Sequence, residues 1–191
     1  MFARIIHTFG ARALSAVINL LIAIALSQFL GPAGKGVQSL IITTITFILV
    51  FANLIGGATL VYLTPRHQPS LIMMPSYAWT VLVSLLSGFI LYYFPIIEKA
   101  YIVHVCILAA LNAFSAINTS VLIGKEKIAI SNIISLVQPF TLIVSLLIFF
   151  AMAGEPVVQH YLYSLYVSFA FSTILSFILF VKYCGPLRVF S

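Results

Sequence analysis

Side-chain amides recur inside long apolar stretches of this 191-residue sequence. An amide offers two donors and an acceptor, and it is costly to place in hydrocarbon without hydrogen-bond partners. Amides in such places can line a cavity that holds a polar molecule, or they can join neighbouring helices to one another. The sequence leaves both interpretations open for Asn19, Asn53, Asn112, Asn118, Asn132 and Gln138.

The candidate cavity residues are the amides that share a helix sector with other polar side chains. At about 100° per residue, Ser39, Thr43 and Thr46 fall in the same sector as Asn53. Small hydroxyl residues also let membrane helices pack closely, which is their usual role. The sequence predicts a substrate cavity lined by Asn53, Asn112, Asn118 and Gln138.

Two arginines could contact a phosphate-bearing headgroup. Arg12 precedes the first apolar stretch and Arg66 closes the second. Arginines at such positions also fix membrane orientation and contact anionic lipids. The sequence predicts headgroup contact by Arg12 and Arg66, with the orienting role as the alternative.

Acidic residues are scarce, which argues against covalent chemistry. The chain has no aspartate, and Glu98, Glu126 and Glu155 all fall in predicted loops. Acid–base catalysis, metal binding and ion coupling within the membrane all use clustered or intramembrane carboxylates. We therefore expect no enzyme activity, no metal site and no cofactor.

The composition places these residues in a membrane. Hydrophobic residues make up 63% of the chain and charged residues 6%, which is too little polar surface for a soluble globule. About 20 apolar residues span a bilayer. The sequence predicts a single all-α transmembrane domain, 1–191, with helices at 13–30, 37–63, 75–94, 100–123, 128–152 and 158–181.

The net charge of +6 is distributed as in a membrane protein rather than a nucleic-acid-binding one. With a cytoplasmic N-terminus, only Lys35 and Lys99 lie outside. The positive-inside rule therefore predicts that both termini are cytoplasmic. The inside residues are then Arg4, Arg12, Arg66, Lys125, Lys127, Lys182 and Arg188.

Glycine and proline predict where helices end or bend. The segment "GPAGKG" at 31–36 predicts a tight external turn between the first two helices. The other prolines are expected in breaks or at helix ends, except Pro139. Pro139 removes a backbone donor and frees the carbonyl of Ser135, which predicts a kink or hinge.

Two passages resemble a known family. "ALSQFLGPAGKGVQSLIITTITFILVFANLIGGATLVYLTPR" resembles the first two helices of bacterial polysaccharide flippases of the Wzx type, in the multidrug/oligosaccharidyl-lipid/polysaccharide exporter superfamily. Those proteins carry an "LGP-x-G-x-G" turn. "LIGKEKIAISNIISLVQPFTLIVSLL" is similar to the family's passage joining helices four and five.

The resemblance implies a carrier that moves polyprenyl-pyrophosphate-linked oligosaccharide across the bacterial inner membrane. Flippases of this kind have two lobes of about six helices, so this six-helix bundle would be the N-terminal lobe, working with a second lobe or a second copy. The alternatives are a drug or small-solute exporter of the same superfamily and an inactive truncated or structural membrane subunit. Expected partners are lipid-linked oligosaccharide and membrane lipids, with no nucleic acid.

Overall fold

The computed structural model describes residues 2–152 and 157–185, with side chains from residue 8 onward. The described part of the chain is helical and contains no strand. Its elements are α1 (Phe2–Gly56), α2 (Ala58–Leu63), α3 (Pro69–Tyr93), α4 (Lys99–Gly124), α5 (Ile128–Met152) and α6 (Val158–Cys184).

The long helices are apolar on their outer faces as well as in the core. Leu85 and Phe89 of α3 and Val103 of α4 are more than 60% exposed. Five helical stretches among the described residues are long and apolar enough to cross a membrane, the α1–α2 stretch counting as one. An all-α bundle with such surfaces is typical of a multi-pass membrane protein.

Helix α1 is interrupted at a single residue. Gly31 has φ 65° and ψ −175°, a backbone conformation open to glycine, while residues 32–36 are helical. The expectation of a turn extending over 31–36 is therefore corrected to a break at Gly31 alone. The reason is Pro32, which has no backbone N–H to leave unsatisfied in a first turn and has a φ suited to the first position of a helix, so the helix restarts at once.

The break divides α1 into a first limb, 2–30, and a second limb, 32–56. The first limb follows α5 in parallel, because Thr8 meets Asn132 and Phe29 meets Phe150. Gln38 of the second limb donates to Tyr161 near the start of α6.

The second limb runs back toward the start of the first. Leu40 lines the same cavity as Tyr101 at the beginning of α4, and Gly56 lies beside Ile117 near its end. Because the α4–α5 turn is short, the end of α4 and the start of α5 lie on one side of the bundle. The two limbs are therefore antiparallel, with Gly31 at the reversal.

Two further boundaries differ from the sequence expectation. A break at Gly57 separates α2 from the second limb, within the predicted helix 37–63. Helix α3 begins at Pro69, with that proline in its first turn, so Pro75 lies inside a helix rather than in a break. Pro156 and Pro186 lie outside the described residues, as do Glu155 and Arg188.

The apolar core has two parts. The larger apolar cluster joins both limbs of α1 to α3, α4, α5 and α6, and it includes Leu26, Ile45, Leu108, Leu146 and Leu165. A smaller cluster packs α2, α3, α4 and α6 through Leu60, Met73, Ile117, Val121 and Phe180. Helix α4 contributes to both clusters and carries two of the candidate amides.

Candidate functional site

Two of the four candidate amides meet across the contact between α4 and α5. Gln138 Nε2 donates to Asn112 Oδ1 at 3.4 Å, and both side chains are half-buried. This distance is longer than the usual 2.7–3.2 Å of an N–H···O bond. A weak bond of this kind leaves both amides able to turn toward another hydrogen-bonding molecule.

The two amides line a cavity of about 270 Å³ that we call the polar pocket. Its walls carry uncharged donors and acceptors together with two small or branched apolar side chains. An uncharged set of hydroxyl and amide groups suits a neutral ligand rich in hydroxyl groups better than a free ion. The lining residues are Asn112, Ser115, Ala116, Thr119, Ser120, Ile134, Ser135 and Gln138.

Most hydroxyl groups of the polar pocket already have partners within the bundle. Thr119 Oγ1 donates to the carbonyl oxygen of Ser115 at 2.7 Å, and Ser135 Oγ donates to that of Ser131 at 3.1 Å. Ser115 Oγ lies 2.9 Å from Ser172 Oγ of α6. The groups with the weakest hydrogen bonding inside the bundle are therefore the two amides and the hydroxyl of Ser120.

The sequence did not single out Ser120. In the part of the chain that the structure describes, its hydroxyl has no hydrogen-bond partner. It follows Thr119 directly and lies eight residues after Asn112, about 2.2 helical turns later and about 80° around α4, within the width of one helix face. That spacing is the signal that would have added it to the predicted cavity.

Asn118 does not line the polar pocket. Its side chain is fully buried, accepts a hydrogen bond from the hydroxyl of Tyr77 and donates through Nδ2 to Ser176 Oγ at 3.0 Å. These contacts join α4 to α3 and α6. The structure therefore gives Asn118 the interhelical role that the sequence left as the alternative.

Asn53 also lies apart from the Asn112–Gln138 pair. It is half-buried near the end of the second limb, next to the break at Gly57, and its carbonyl oxygen accepts from the Gly57 amide at 2.9 Å. Its side chain makes no hydrogen bond within the described part of the chain. It is not among the residues that line the polar pocket.

The two candidate arginines lie on the surface and are not brought into the polar pocket. Arg12 is exposed on the first limb. Arg66 is exposed after α2, where its guanidinium carbon lies 4.0 Å from the ring centroid of Tyr62 and its Nη1 donates to the Tyr62 hydroxyl. Arg66 is thus held against its own segment rather than pointing toward Gln138.

Neighbouring helices bind the backbone around Pro139. This proline is buried within α5, which is helical from Ile128 to Met152. The hydroxyl of Ser15 in the first limb donates to the carbonyl oxygen of Ser135 at 3.4 Å, the group that Pro139 leaves without its helical donor. Ser168 of α6 donates to the carbonyl oxygen of Gln138 at 2.7 Å.

The polar pocket therefore adjoins a stretch of helix whose backbone is bound by side chains of α1 and α6. No protein-family model, curated protein or solved structure matches this chain. What the polar pocket binds must accordingly be inferred from its own chemistry and from the sequence motifs around it.

Proposed function

We propose that the chain is a transport protein, the N-terminal lobe of a Wzx-type flippase that carries polyprenyl-pyrophosphate-linked oligosaccharide across the bacterial inner membrane. The observation that supports this most is an uncharged polar pocket, with Asn112 and Gln138 at its wall, inside otherwise apolar helices. Hydroxyl and amide groups can replace water around sugar hydroxyls. This lowers the barrier to moving a glycan through hydrocarbon without any covalent step.

The path of α1 supports a six-helix lobe. Because its limbs are antiparallel, α1 would cross the membrane twice, and α3, α4, α5 and α6 would each cross once. An even number of crossings puts both chain ends on one side, the cytoplasmic side by the distribution of lysine and arginine.

The polar pocket is too small to enclose an oligosaccharide alone. Ligand cavities commonly measure about 300–1,000 Å³, and this one measures about 270 Å³. We infer that it is one wall of a larger site, completed by a second lobe or a second copy. Pro139 would serve as the hinge of that wall, and Arg12 and Arg66 would receive the pyrophosphate at the cytoplasmic surface.

A binding measurement tests this proposal directly. Polyprenyl-pyrophosphate-linked oligosaccharide would be titrated against the purified chain in nanodiscs and detected by native mass spectrometry. We expect Gln138→Leu and Asn112→Leu to weaken binding about tenfold each, as loss of a hydrogen bond to a ligand typically does. Asn19→Leu, at an exposed amide outside the pocket, is the matched control.

The same measurement separates sugar recognition from lipid recognition. Polyprenyl pyrophosphate without the glycan should bind the wild-type chain and the Gln138→Leu variant equally. If both variants bind the glycan-bearing lipid as the wild type does, the polar pocket is not the sugar site. Tighter binding of a cationic drug than of the glycan-bearing lipid would favour the exporter alternative.

A further inference from the structure

A second cavity, of about 490 Å³, has mainly apolar walls, in contrast to the polar pocket. It lies between the second limb of α1 and α3, and we call it the lateral groove. Large apolar side chains form its walls, and several of them are 44–65% exposed, so the groove faces outward to the surrounding hydrocarbon. The residues that define it are Leu40, Phe47, Phe51, Trp79, Leu86 and Leu91.

The length of the lateral groove matches one leaflet of a bilayer. From Leu40 to Phe51 the second limb rises about 16 Å, at 1.5 Å per residue. Half of a typical hydrocarbon core is about 15 Å. An extended acyl chain entering at the Leu40 end would therefore reach the far end of the groove near the bilayer midplane.

The open end of the lateral groove is charged. An adjoining cavity of about 440 Å³ shares the lining residues Leu40 and Ile96 with the groove, and its lining also includes Glu98, Lys99 and Tyr101. Lys99 Nζ lies 4.8 Å from the ring centroid of Tyr92. Within the described part of the chain neither Glu98 nor Lys99 forms an ion pair, so both charges are available to a ligand.

We propose that the lateral groove and this charged mouth bind one phospholipid with a zwitterionic headgroup. An acyl chain would lie along the groove, the phosphate would meet Lys99, and an ammonium group would meet Glu98. A polyanionic headgroup fits less well because Glu98 would repel it. A partner helix also fits less well, since membrane helices pack through small residues and this groove is walled by phenylalanine, leucine and tryptophan.

This site is independent of the proposed transport function. The lateral groove shares no lining residue with the polar pocket, and it lies between α1 and α3 rather than between α4 and α5. A measurement of phospholipid selectivity, detected through Trp79, can therefore fail while oligosaccharide binding at Gln138 is observed, and the reverse is also possible.

The single tryptophan of the chain provides the readout. Trp79 lines the lateral groove, and its Nε1 donates to the carbonyl oxygen of Phe51 at 3.0 Å. Brominated acyl chains quench tryptophan fluorescence on contact. The chain would be reconstituted into phosphatidylglycerol vesicles containing an equal mole fraction of brominated phosphatidylethanolamine or brominated phosphatidylglycerol.

We expect phosphatidylethanolamine to quench with about fivefold higher relative affinity, the size of effect that one interfacial charge contact produces. Glu98→Gln should reduce this preference toward unity, whereas Lys99→Gln, which removes the phosphate contact that both lipids make, should not lower it. Lys125→Gln and Glu126→Gln remove the same charges from the α4–α5 turn, at the other side of the bundle, and should leave the preference unchanged. Equal quenching by the two lipids, or equal effects of the four variants, would overturn the proposal.

A groove-filling substitution tests the acyl-chain part. Ser87→Leu places a larger side chain in the lateral groove and should lower quenching by brominated phosphatidylethanolamine at least twofold, whereas Ser27→Leu, at an exposed site on the first limb, should not. Unchanged helical circular dichroism confirms that each variant is folded. If no brominated lipid quenches Trp79 and the chain is dimeric, a second copy covers the groove and the proposal is wrong.

Discussion

Asn118 donates a hydrogen bond from Nδ2 to the hydroxyl oxygen of Ser176, at 3.0 Å, inside the buried contact between α4 and α6. Asn112, six residues earlier on α4, instead lines the polar pocket and receives only the 3.4 Å contact from Gln138. Six residues turn a helix by about 240° beyond a full turn. The two asparagines of α4 therefore contact different helices. Asn118 joins α4 to its neighbours, whereas Asn112 lines the polar pocket.

The stability of the bundle should depend on Asn118. Asn118→Ala leaves the hydroxyls of Tyr77 and Ser176 without this partner in a buried site, and we expect it to lower the free energy of unfolding by about 1–3 kcal/mol. Reversible unfolding in mixed micelles measures this. Asn19→Ala, at an exposed position, should change the free energy by less than about 0.5 kcal/mol. Similar values for the two variants would contradict the structural role of Asn118.

The difference between Asn112 and Asn118 shows where sequence reasoning stops. Apolar runs of the right length predict membrane-spanning helices because hydrocarbon tolerates little else. A sector of polar residues on α4 predicts an inward face, but it cannot say which neighbouring helix each residue meets. That depends on the rotation and contacts of α5 and α6, which place Gln138 beside Asn112 and Ser176 beside Asn118.

The reversal at Gly31 was predictable in kind and not in extent. The proline and glycines of 31–36 indicate a break, but they do not say whether Pro32 ends one helix or begins the next. The contact of Ser15 near Pro139 was also beyond prediction from the sequence. The freed carbonyl of Ser135 follows from the sequence, whereas its partner lies 120 residues away.

Gly31 should resist substitution for conformational reasons alone. A Cβ at this position would meet nothing within 4 Å, yet φ is +65°. We expect Gly31→Ala to lower the free energy of unfolding by about 1–3 kcal/mol, the cost of a backbone region reserved for glycine. Gly36→Ala is the matched control, because Gly36 is exposed, helical and also free of close contacts. It should stabilise the chain by about 0.5–1 kcal/mol. The same sign of change in both variants would refute this account.

Gly124 should not tolerate a larger side chain, for a steric reason. A Cβ there would lie 2.6 Å from Thr64 Cβ and 3.0 Å from the carbonyl oxygen of Val61. Gly124→Ala would force α2 away from α4, and we expect a loss of about 1–3 kcal/mol, as for other overpacked sites. Gly10→Ala, with no atom within 4 Å, serves as the control. Thr64→Gly, which removes the Cβ at 2.6 Å, should restore some of the loss in the double variant.

Ser15 and Pro139 should be energetically coupled. In the Pro139→Ala variant a backbone N–H returns to the carbonyl of Ser135, so that oxygen no longer needs the Ser15 hydroxyl. We expect Ser15→Ala to cost about 0.6 kcal/mol in the wild-type chain, an ordinary value for a hydrogen bond between membrane helices. In the Pro139→Ala background it should cost nearly nothing. Four unfolding measurements complete the double-mutant cycle, and equal costs in the two backgrounds would show that the contact is incidental.

The positive-inside rule predicts which side of the membrane each end of the bundle faces. The reversal at Gly31 and the end of α6 lie on opposite sides of the bundle, since Gln38 meets Tyr161 at the start of α6. In a Cys106→Ser background, a membrane-impermeant maleimide added to intact spheroplasts should label Lys35→Cys strongly and native Cys184 weakly. Inverted vesicles should give the reverse pattern. Labelling of both positions from one side would mean that the limbs of α1 do not cross the membrane twice, and the six-crossing lobe would have to be abandoned.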